Sequence, residues 1–239
     1  MPSDQRQPVT DTLRVLAEGE IELLGRMPWS SNGTFLVTVT LGGDQMNAIY
    51  KPHRGERPLW DFPAGLYQRE VAAYELSKVL GWPRIPETVL RTGAPFGVGS
   101  LQRFVDADFD QQYFSLVESE HYHPALQAMA AFDLVVNNAD RKGGHCLLDA
   151  DDNIWGIDHG LCFNVAPKLR TVIWDFCGQD IPAPLLDDLR TLAASPPASL
   201  ATLLNGAERD AIGRRAERVA AAGVFPDPGD GWPFPWPLV

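Results

Sequence analysis

The chain has 239 residues, of which 45% are hydrophobic and 21% charged, a composition typical of a globular protein with a sizeable core. No apolar run reaches the roughly 20 residues that span a bilayer, and no basic stretch followed by an apolar one opens the sequence. Thirty-one acidic and twenty basic residues give a formal net charge of −11, which disfavours binding along a phosphate backbone. The sequence therefore predicts a cytoplasmic protein with no transmembrane segment and no nucleic-acid partner.

The first part of the chain, residues 1–105, is predicted to be a small unit rich in strands. A short helix over residues 11–18 leads into the strand EIELLGRM. The strands TFLVTVTL and MNAIYKP follow, joined by a glycine turn in a β-meander. Apolar residues at helical spacing predict a helix from Gly65 to Leu80, with Gly81 as its C-cap. Two further strands, IPETVLR and the segment from Phe96 to Val105, complete the sheet.

The second part, residues 106–222, is predicted to be mainly helical. An apolar helix covers residues 124–137, and helical spacing returns over residues 182–222. Between them, HCLLD and IWGID read as a hairpin around an acidic turn. Residues 223–239 form a proline-rich tail that suits neither a helix nor a central strand, and its aromatic rings predict a contact with the protein's own surface or with a partner.

Three polar islands interrupt segments that should be buried. In AIYKP, Lys51 ends an apolar strand, and Glu70 lies on the next helix. NNADRKGGH, with Asp140, follows the apolar helix directly, and in IWGIDHG a buried strand ends at Asp158. A carboxylate there is costly unless it is paired or binds a cation. Taken singly, a surface lysine explains the first island better than a functional site does, and a polar loop explains the second island equally well.

In this order, the islands resemble the protein-kinase-like superfold and, within it, a small bacterial-type member of the phosphatidylinositol 3-/4-kinase-like family. IYKP is similar to the lysine strand of type II phosphatidylinositol 4-kinases and of HipA-like kinases, DRKGGH resembles the DRHxxN catalytic loop, and IDHG resembles the IDFG metal-binding turn. The resemblance implies an α+β, bilobal fold. It has a small β-rich N-lobe with one long helix over residues 1–105, a mainly helical C-lobe over 106–222, and the tail over 223–239.

The resemblance also implies ATP and Mg²⁺ or Mn²⁺ as cofactors, and it assigns the polar residues to roles. Lys51 holds the α- and β-phosphates, and Glu70 holds Lys51 by an ion pair. Asp140 orients or deprotonates the acceptor hydroxyl. Asp158 and His145 are the metal ligands. His145 replaces the family's usual Asn, and imidazole is a poorer Mg²⁺ ligand than an oxygen donor.

The nucleotide pocket that the resemblance implies has three parts. Backbone N–H groups of a loop with one glycine cover the phosphates, a hinge meets the adenine edge, and two apolar side chains line the faces of the base. The two apolar residues are equally well explained as ordinary core. The residues are Ser31, Asn32, Gly33 and Thr34 for the loop, Gln102, Arg103, Phe104 and Val105 for the hinge, and Ile49 and Ile157 for the two faces.

The acceptor is inferred from charge. A kinase of membrane lipids generally carries a basic or amphipathic surface, and this acidic chain has no such segment. The prediction is an ATP-dependent phosphotransferase acting on a soluble protein side chain or small polyol. His145 and the single-glycine loop leave open the alternative of a nucleotide-binding pseudokinase or regulatory module. Nucleotidyl transfer from ATP is a further alternative.

Overall fold

The structure is a computed structural model that describes residues 11–28, 30, 32–229 and 231–239. Contacts divide the chain into two units: unit 1 holds the residues up to Arg57 and Glu87–Phe104, and unit 2 holds Pro58–Pro86 and Val105–Val239. Residues 58–86, which are predicted to belong with the first strands, thus share a unit with the predicted catalytic loop. The elements are α1 (Thr12–Glu18), β1 (Glu20–Arg26), β2 (Phe35–Leu41), β3 (Asp44–Pro52), α2 (Leu66–Leu80), β4 (Thr88–Arg91), β5 (Gly99–Arg103), β6 (Ala107–Asp108), α3 (Tyr113–Leu116), α4 (His123–Val136), β7 (Cys146–Asp149), β8 (Ile154–Gly156), α5 (Ala183–Ala194) and α6 (Gly206–Ala222).

Unit 1 is an antiparallel sheet with one short helix packed on it. Its strands are ordered β1-β2-β3-β5-β4, and α1 supplies Val15 and Leu16 to a core shared with Val37, Tyr50 and Leu101. The meander of β1, β2 and β3 confirms the predicted strands.

The two faces of β3 differ in what they carry. Ala48 and Tyr50 are fully buried in the unit 1 core. Because side chains alternate along a strand, Lys51 points to the other face, and its partner across the ladder is Ser100 on β5. That opposite face is where the predicted phosphate-binding lysine lies.

Unit 2 is mainly helical and has its core around α4. Buried residues of α4, including Leu126 and Met129, pack against Cys146, Phe176 and Phe225. α5 and α6 pack on each other, and α6 packs on α4. The predicted hairpin is present as β7 and β8, and the two-residue strand β6 adds to its edge at β7, a pairing that the sequence did not predict.

The proline-rich tail packs on unit 2. Pro235 is buried, and the carbonyl oxygens of Pro233 and Leu238 accept hydrogen bonds from the N–H groups of Thr171 and Gly143 at 2.9 and 2.8 Å. The tail therefore makes the contact with its own chain that was one of the two expectations. Helices and antiparallel sheets together confirm the α+β class. Over the described ranges, no helix combines the length and the apolar character needed to cross a membrane.

Candidate active site

The segment after α4 is shaped by two asparagines. Asn137 ends the helix in the left-handed conformation, with φ of 55°, which Asn tolerates better than most residues. The buried Asn138 accepts a hydrogen bond from the backbone N–H of Asp140 at 3.0 Å and donates one to Asp133 at 2.9 Å. The amide of Asn138 thus caps the loop that presents Asp140.

Arg141 anchors the same loop to α4. Its guanidinium donates two hydrogen bonds to Asp133, at 2.8 and 2.9 Å, and neither side chain is exposed. A third hydrogen bond, from Nη1 to the carbonyl oxygen of Ile157, measures 2.9 Å and reaches the segment just before Asp158. Arg141 is therefore a structural tether between the helix, the catalytic loop and the turn that follows β8.

Asp140 is a carboxylate in a desolvated position. Its side chain is one-quarter exposed, and Lys142 Nζ lies 3.2 Å from Asp140 Oδ2. Burial raises the pKa of Asp140 to about 6; Lys142 and Arg141 act to lower the pKa, and the negative charge of Asp158 acts to raise it. A carboxylate with a pKa near neutrality is suited to accept a proton from a hydroxyl group.

Asp158 and His145 come together beside this loop. Asp158 has φ of 59°, in the left-handed region that Asp, like Asn, adopts more readily than most residues with a side chain. Its Oδ2 atom lies 3.5 Å from Nε2 of His145, and about half of the Asp158 side chain is exposed. Nδ1 of His145 accepts a hydrogen bond from the backbone N–H of Lys142 at 3.3 Å.

The turn after Asp158 is fixed by Glu70. Glu70 lies on α2, is almost fully buried, and accepts a hydrogen bond from the backbone N–H of His159 at 2.9 Å. The His159 ring is fully buried, contacts Arg141 through Nε2 at 2.7 Å, and packs edge to face on Phe132. Glu70 therefore shapes the turn that carries Asp158. The predicted ion pair between Glu70 and Lys51 stays a prediction.

The donor set partly fits a divalent cation. Asp158 offers a hard oxygen ligand that is accessible to solvent, and the charge of a second carboxylate, Asp140, is close enough to influence it. Among the described residues, no group of three or more His, Cys, Asp and Glu side chains is placed to hold a metal ion. Mg²⁺ is commonly bound by one or two carboxylates together with substrate phosphates, so Asp158 fits such a site without a full protein cage.

The glycine loop of unit 1 has a tight backbone contact. The N–H of Gly33 donates to the carbonyl oxygen of Gly55 at 2.8 Å, and a Cβ atom on Gly33 would lie 2.9 Å from the Gly55 Cα. The Asn32 side chain accepts from the N–H of Arg57, and the Thr34 hydroxyl lies 2.8 Å from that of Ser30. Gly33 must release this hydrogen bond before its N–H can bind a phosphate. Ser31 lies outside the described residues.

The predicted hinge continues from β5 to the boundary between the units. Gln102 lies opposite Ile49 in the β3–β5 ladder, on the same face as Lys51, and its amide donates to Thr88 at 2.8 Å. The N–H groups of Arg103 and Phe104 donate to Glu87 and Asn47. Unit 1 ends at Phe104 and unit 2 begins with the buried Val105. Ile157 is half-buried in unit 2, where its carbonyl oxygen binds Arg141.

Within unit 2, the structure brings together Asp140, His145 and Asp158, with Glu70 bound to the adjoining turn. Within unit 1, it places Lys51, Ile49 and Gln102 on one face of the sheet. Two contributors were missed by sequence reasoning. Asp133 is a single carboxylate inside an apolar helix, a signal that the sequence does contain. Lys142 follows Asp140 by two residues, and only the structure shows their side chains in contact.

Comparisons with known proteins identify the family of the chain. The family model for phosphatidylinositol 3- and 4-kinases matches residues 67–195, more than half of the chain. Protein Rv2133c of Mycobacterium tuberculosis is 40% identical over 95% of both chains. A solved structure of hydra Fam20 with sugar aligns with a TM-score of 0.56 at 15% identity, over 88% of this chain and 86% of that chain. A crystal structure of the Helicobacter pylori proinflammatory kinase CtkA aligns at 0.47 and 13% identity, over 88% of this chain and 94% of that chain.

The match to the family model confirms the predicted family, while the similarity to HipA-like kinases and the roles assigned to the site residues stay predictions. The loop with Asp140, the turn with Asp158 and the helix with Glu70 all lie inside the matched residues. The chain belongs to the phosphatidylinositol 3- and 4-kinase family and has a protein-kinase-like fold.

Proposed function

We propose that this member of the family is an ATP-dependent phosphotransferase whose acceptor is a soluble protein side chain or a small polyol. One observation carries the proposal. Asp140 has a pKa raised to about 6 and lies in a loop tied through Arg141 to the turn that presents Asp158. Transfer of a phosphoryl group to a hydroxyl needs a base and a cation ligand from the protein. The two connected loops carry one residue suited to each role.

In this proposal, the chain binds ATP together with Mg²⁺ or Mn²⁺. Bound ATP supplies the phosphoryl group, and the divalent cation offsets the charge that develops on it. Lys51 binds phosphate oxygens from the face of the sheet that also carries Ile49 and Gln102. Asp158 holds the cation, and Glu70 keeps the turn around Asp158 in place through the N–H of His159.

Asp140 is proposed as the group that binds the acceptor hydroxyl. Asn138 fixes its backbone and Lys142 contacts its carboxylate, so its oxygens are held in a limited range of directions. The raised pKa makes Asp140 a stronger base than an ordinary aspartate while leaving it mostly ionised at pH 7. Asp140 would thereby orient the hydroxyl and accept its proton while the hydroxyl oxygen bonds to the γ-phosphorus and the bond from that phosphorus to the leaving ADP breaks.

The choice of a soluble acceptor follows from charge. The chain carries a formal net charge of −11, and an anionic membrane surface repels such a protein unless a local basic segment binds it. In unit 2, Lys168 lies after the Asp158 turn, but its Nζ is 2.8 Å from Asp61 Oδ2, so its charge is already paired. These observations favour an acceptor in solution over one in a bilayer.

The test begins with isothermal titration of the purified protein with ATP, alone and with Mg²⁺ or Mn²⁺, followed by an ADP-release assay on the same sample. γ-Labelled and α-labelled ATP are then supplied with protein substrates, small polyols and vesicles containing phosphatidylinositol. We expect metal-dependent binding, slow ADP release, and transfer of the γ label to a soluble acceptor. Transfer of the α label indicates nucleotidyl transfer, and labelled lipid contradicts the soluble acceptor.

Three variants assign the result to the site. Asp158→Ala is expected to abolish metal-dependent binding of ATP, and Asp140→Asn is expected to retain binding and lose transfer. Asp151→Asn, in the exposed turn between β7 and β8, is the matched control and should behave as the wild type. Binding without turnover in the wild type favours the pseudokinase alternative, which the substitution at His145 motivates. No binding under any metal condition contradicts the proposed function.

A further inference from the structure

The ring of His145 is held by the backbone beside it. His145 ends a short 3-10 turn, Gly143–His145, and its Nδ1 atom accepts a hydrogen bond from the N–H of Lys142 at 3.3 Å. Gly143, the first residue of this turn, is held by two further contacts. A Cβ on Gly143 would lie 3.0 Å from the ring of Phe114, and its N–H binds the carbonyl oxygen of Leu238. The turn that carries the ring is therefore fixed from several directions.

The direction of this hydrogen bond determines the tautomer of His145. A backbone N–H only donates, so Nδ1 must present a lone pair to it. A neutral imidazole carries one proton, and with Nδ1 as acceptor that proton is on Nε2. Nε2 is the atom that lies 3.5 Å from Asp158 Oδ2. His145 therefore presents an N–H, rather than a lone pair, toward the cation ligand.

This arrangement is the reverse of the one that metal-bound histidines use. A ligating histidine binds the ion through an unprotonated nitrogen and donates the proton on its other nitrogen to a carboxylate or carbonyl oxygen. Here the other nitrogen is an acceptor. For Nε2 to bind a metal ion, the proton must leave Nε2 and the hydrogen bond from Lys142 must break.

From this geometry we infer that His145 is not a metal ligand but a positioning residue whose Nε2–H faces the Asp158 carboxylate at 3.5 Å, so that unit 2 holds one divalent cation on Asp158. The inference rests on the proposed function, since it concerns the cation that accompanies ATP. The inference explains how an imidazole can stand in place of the family's usual Asn although it is a poor ligand for a hard cation. The ring contributes a proton donor, and Asp158 supplies the oxygen ligand.

The test uses the full chain with ¹⁵N-labelled histidine, Mn²⁺ and the methylene analogue of ATP. Electron spin-echo spectroscopy detects any ¹⁵N nucleus bonded directly to Mn²⁺, and the free Mn²⁺ signal measures affinity. We expect bound Mn²⁺ without a directly coordinated histidine nitrogen. His145→Ala is expected to keep saturable Mn²⁺ binding. Its Mn²⁺ affinity should fall by about 10- to 100-fold, because the variant lacks the group that orients the Asp158 ligand. Asp158→Ala is expected to lose saturable binding.

Each outcome decides between the possibilities. A directly coordinated ¹⁵N in the wild type, absent in His145→Ala, overturns the inference and leaves the proposed function standing. Saturable binding that survives in Asp158→Ala also overturns it. If the wild type does not bind Mn²⁺ with the ATP analogue at all, the proposed function itself fails, and the inference fails with it.

Discussion

Arg141 and Asp133 form a two-point ion pair that is sealed from solvent, with hydrogen bonds of 2.8 and 2.9 Å. Asp133 belongs to α4, while Arg141 directly follows the proposed base Asp140. The same guanidinium reaches the carbonyl oxygen of Ile157 and the ring of His159, which flank Asp158. A single buried side chain therefore connects a core helix to both loops of the candidate site.

Replacing Arg141 should destabilise the protein strongly. In Arg141→Met the Asp133 carboxylate stays buried without its partner, and breaking a buried pair in this way costs about 3 to 5 kcal/mol. Guanidinium chloride unfolding followed by circular dichroism measures the change. The double variant Arg141→Met with Asp133→Leu should recover part of the loss, because no charge is left buried. Arg190→Met, on the exposed face of α5, is the control, and a similar loss there would refute the explanation.

Phosphotransfer is expected to depend on the ionisation of Asp140. Burial raises its pKa to about 6, and only the ionised form accepts a proton. Activity should therefore be constant above pH 7 and fall about tenfold per pH unit below pH 6, as one group titrates. The pH profile of kcat/KM with the best acceptor tests this, and a profile without a limb between pH 5 and 7 would rule out Asp140 as the titrating base.

The pH limb should move when Lys142 is replaced. The positive charge of Lys142 lowers the pKa of Asp140, so Lys142→Ala removes a lowering effect and raises that pKa further. The acid limb is then expected at higher pH than in the wild type. Lys78→Ala, an exposed residue of α2, should leave the limb in place. A shift to lower pH in Lys142→Ala would contradict the assigned electrostatics.

Much of the site could be predicted from sequence because its parts are local. Asp140 and Asp158 each follow a buried element within a few residues, and a carboxylate at such a position stands out against its apolar neighbours. The same locality explains why the meander, α4 and the hairpin of β7 and β8 are confirmed. Residue type and spacing along the chain are enough to identify features of this kind.

Contacts between distant segments could not be predicted. The N–H of Gly33 binds Gly55, and Leu238 binds Gly143, across sequence separations that no periodic pattern encodes. The strand β6 has two residues, too few to show an alternation. The tautomer of His145 likewise depends on the backbone N–H of Lys142, whose direction is a property of the folded turn.

The approach of Gly33 to Gly55 predicts a stability effect in unit 1. A Cβ on Gly33 would lie 2.9 Å from the Gly55 Cα, closer than backbone atoms allow, so Gly33→Ala must displace this segment. We expect a loss of about 1 to 3 kcal/mol in thermal or denaturant unfolding. Gly25→Ala is the control, because nothing lies within 4 Å of its Cβ position. Equal effects of the two substitutions would contradict the steric explanation.

An oxygen ligand at position 145 should change the metal preference. His145→Asn removes the N–H that faces Asp158 and supplies a carbonyl oxygen, which Mg²⁺ prefers to imidazole. The ratio of Mg²⁺ affinity to Mn²⁺ affinity in the presence of ATP is expected to rise about tenfold, because loss of the N–H weakens binding of both ions while the carbonyl oxygen favours Mg²⁺. Competition titrations with both ions measure the ratio. His121→Asn, on the exposed turn before α4, is the control, and an unchanged ratio in His145→Asn would mean that residue 145 does not face the cation.

The C-terminal tail is expected to protect the backbone N–H groups of Gly143 and Thr171 from hydrogen exchange. Gly143 and Thr171 donate their N–H groups to carbonyl oxygens of the tail, and Pro235 is the buried residue between these two contacts. Pro235→Asp places a charge in that buried position and should release the tail, so hydrogen exchange at both amides should accelerate by at least about tenfold. Trp236→Ala, whose side chain is mostly exposed, should leave the exchange unchanged. The amide of Ala139, bonded to Leu161, is the internal reference, because uniform acceleration there would indicate global unfolding rather than release of the tail.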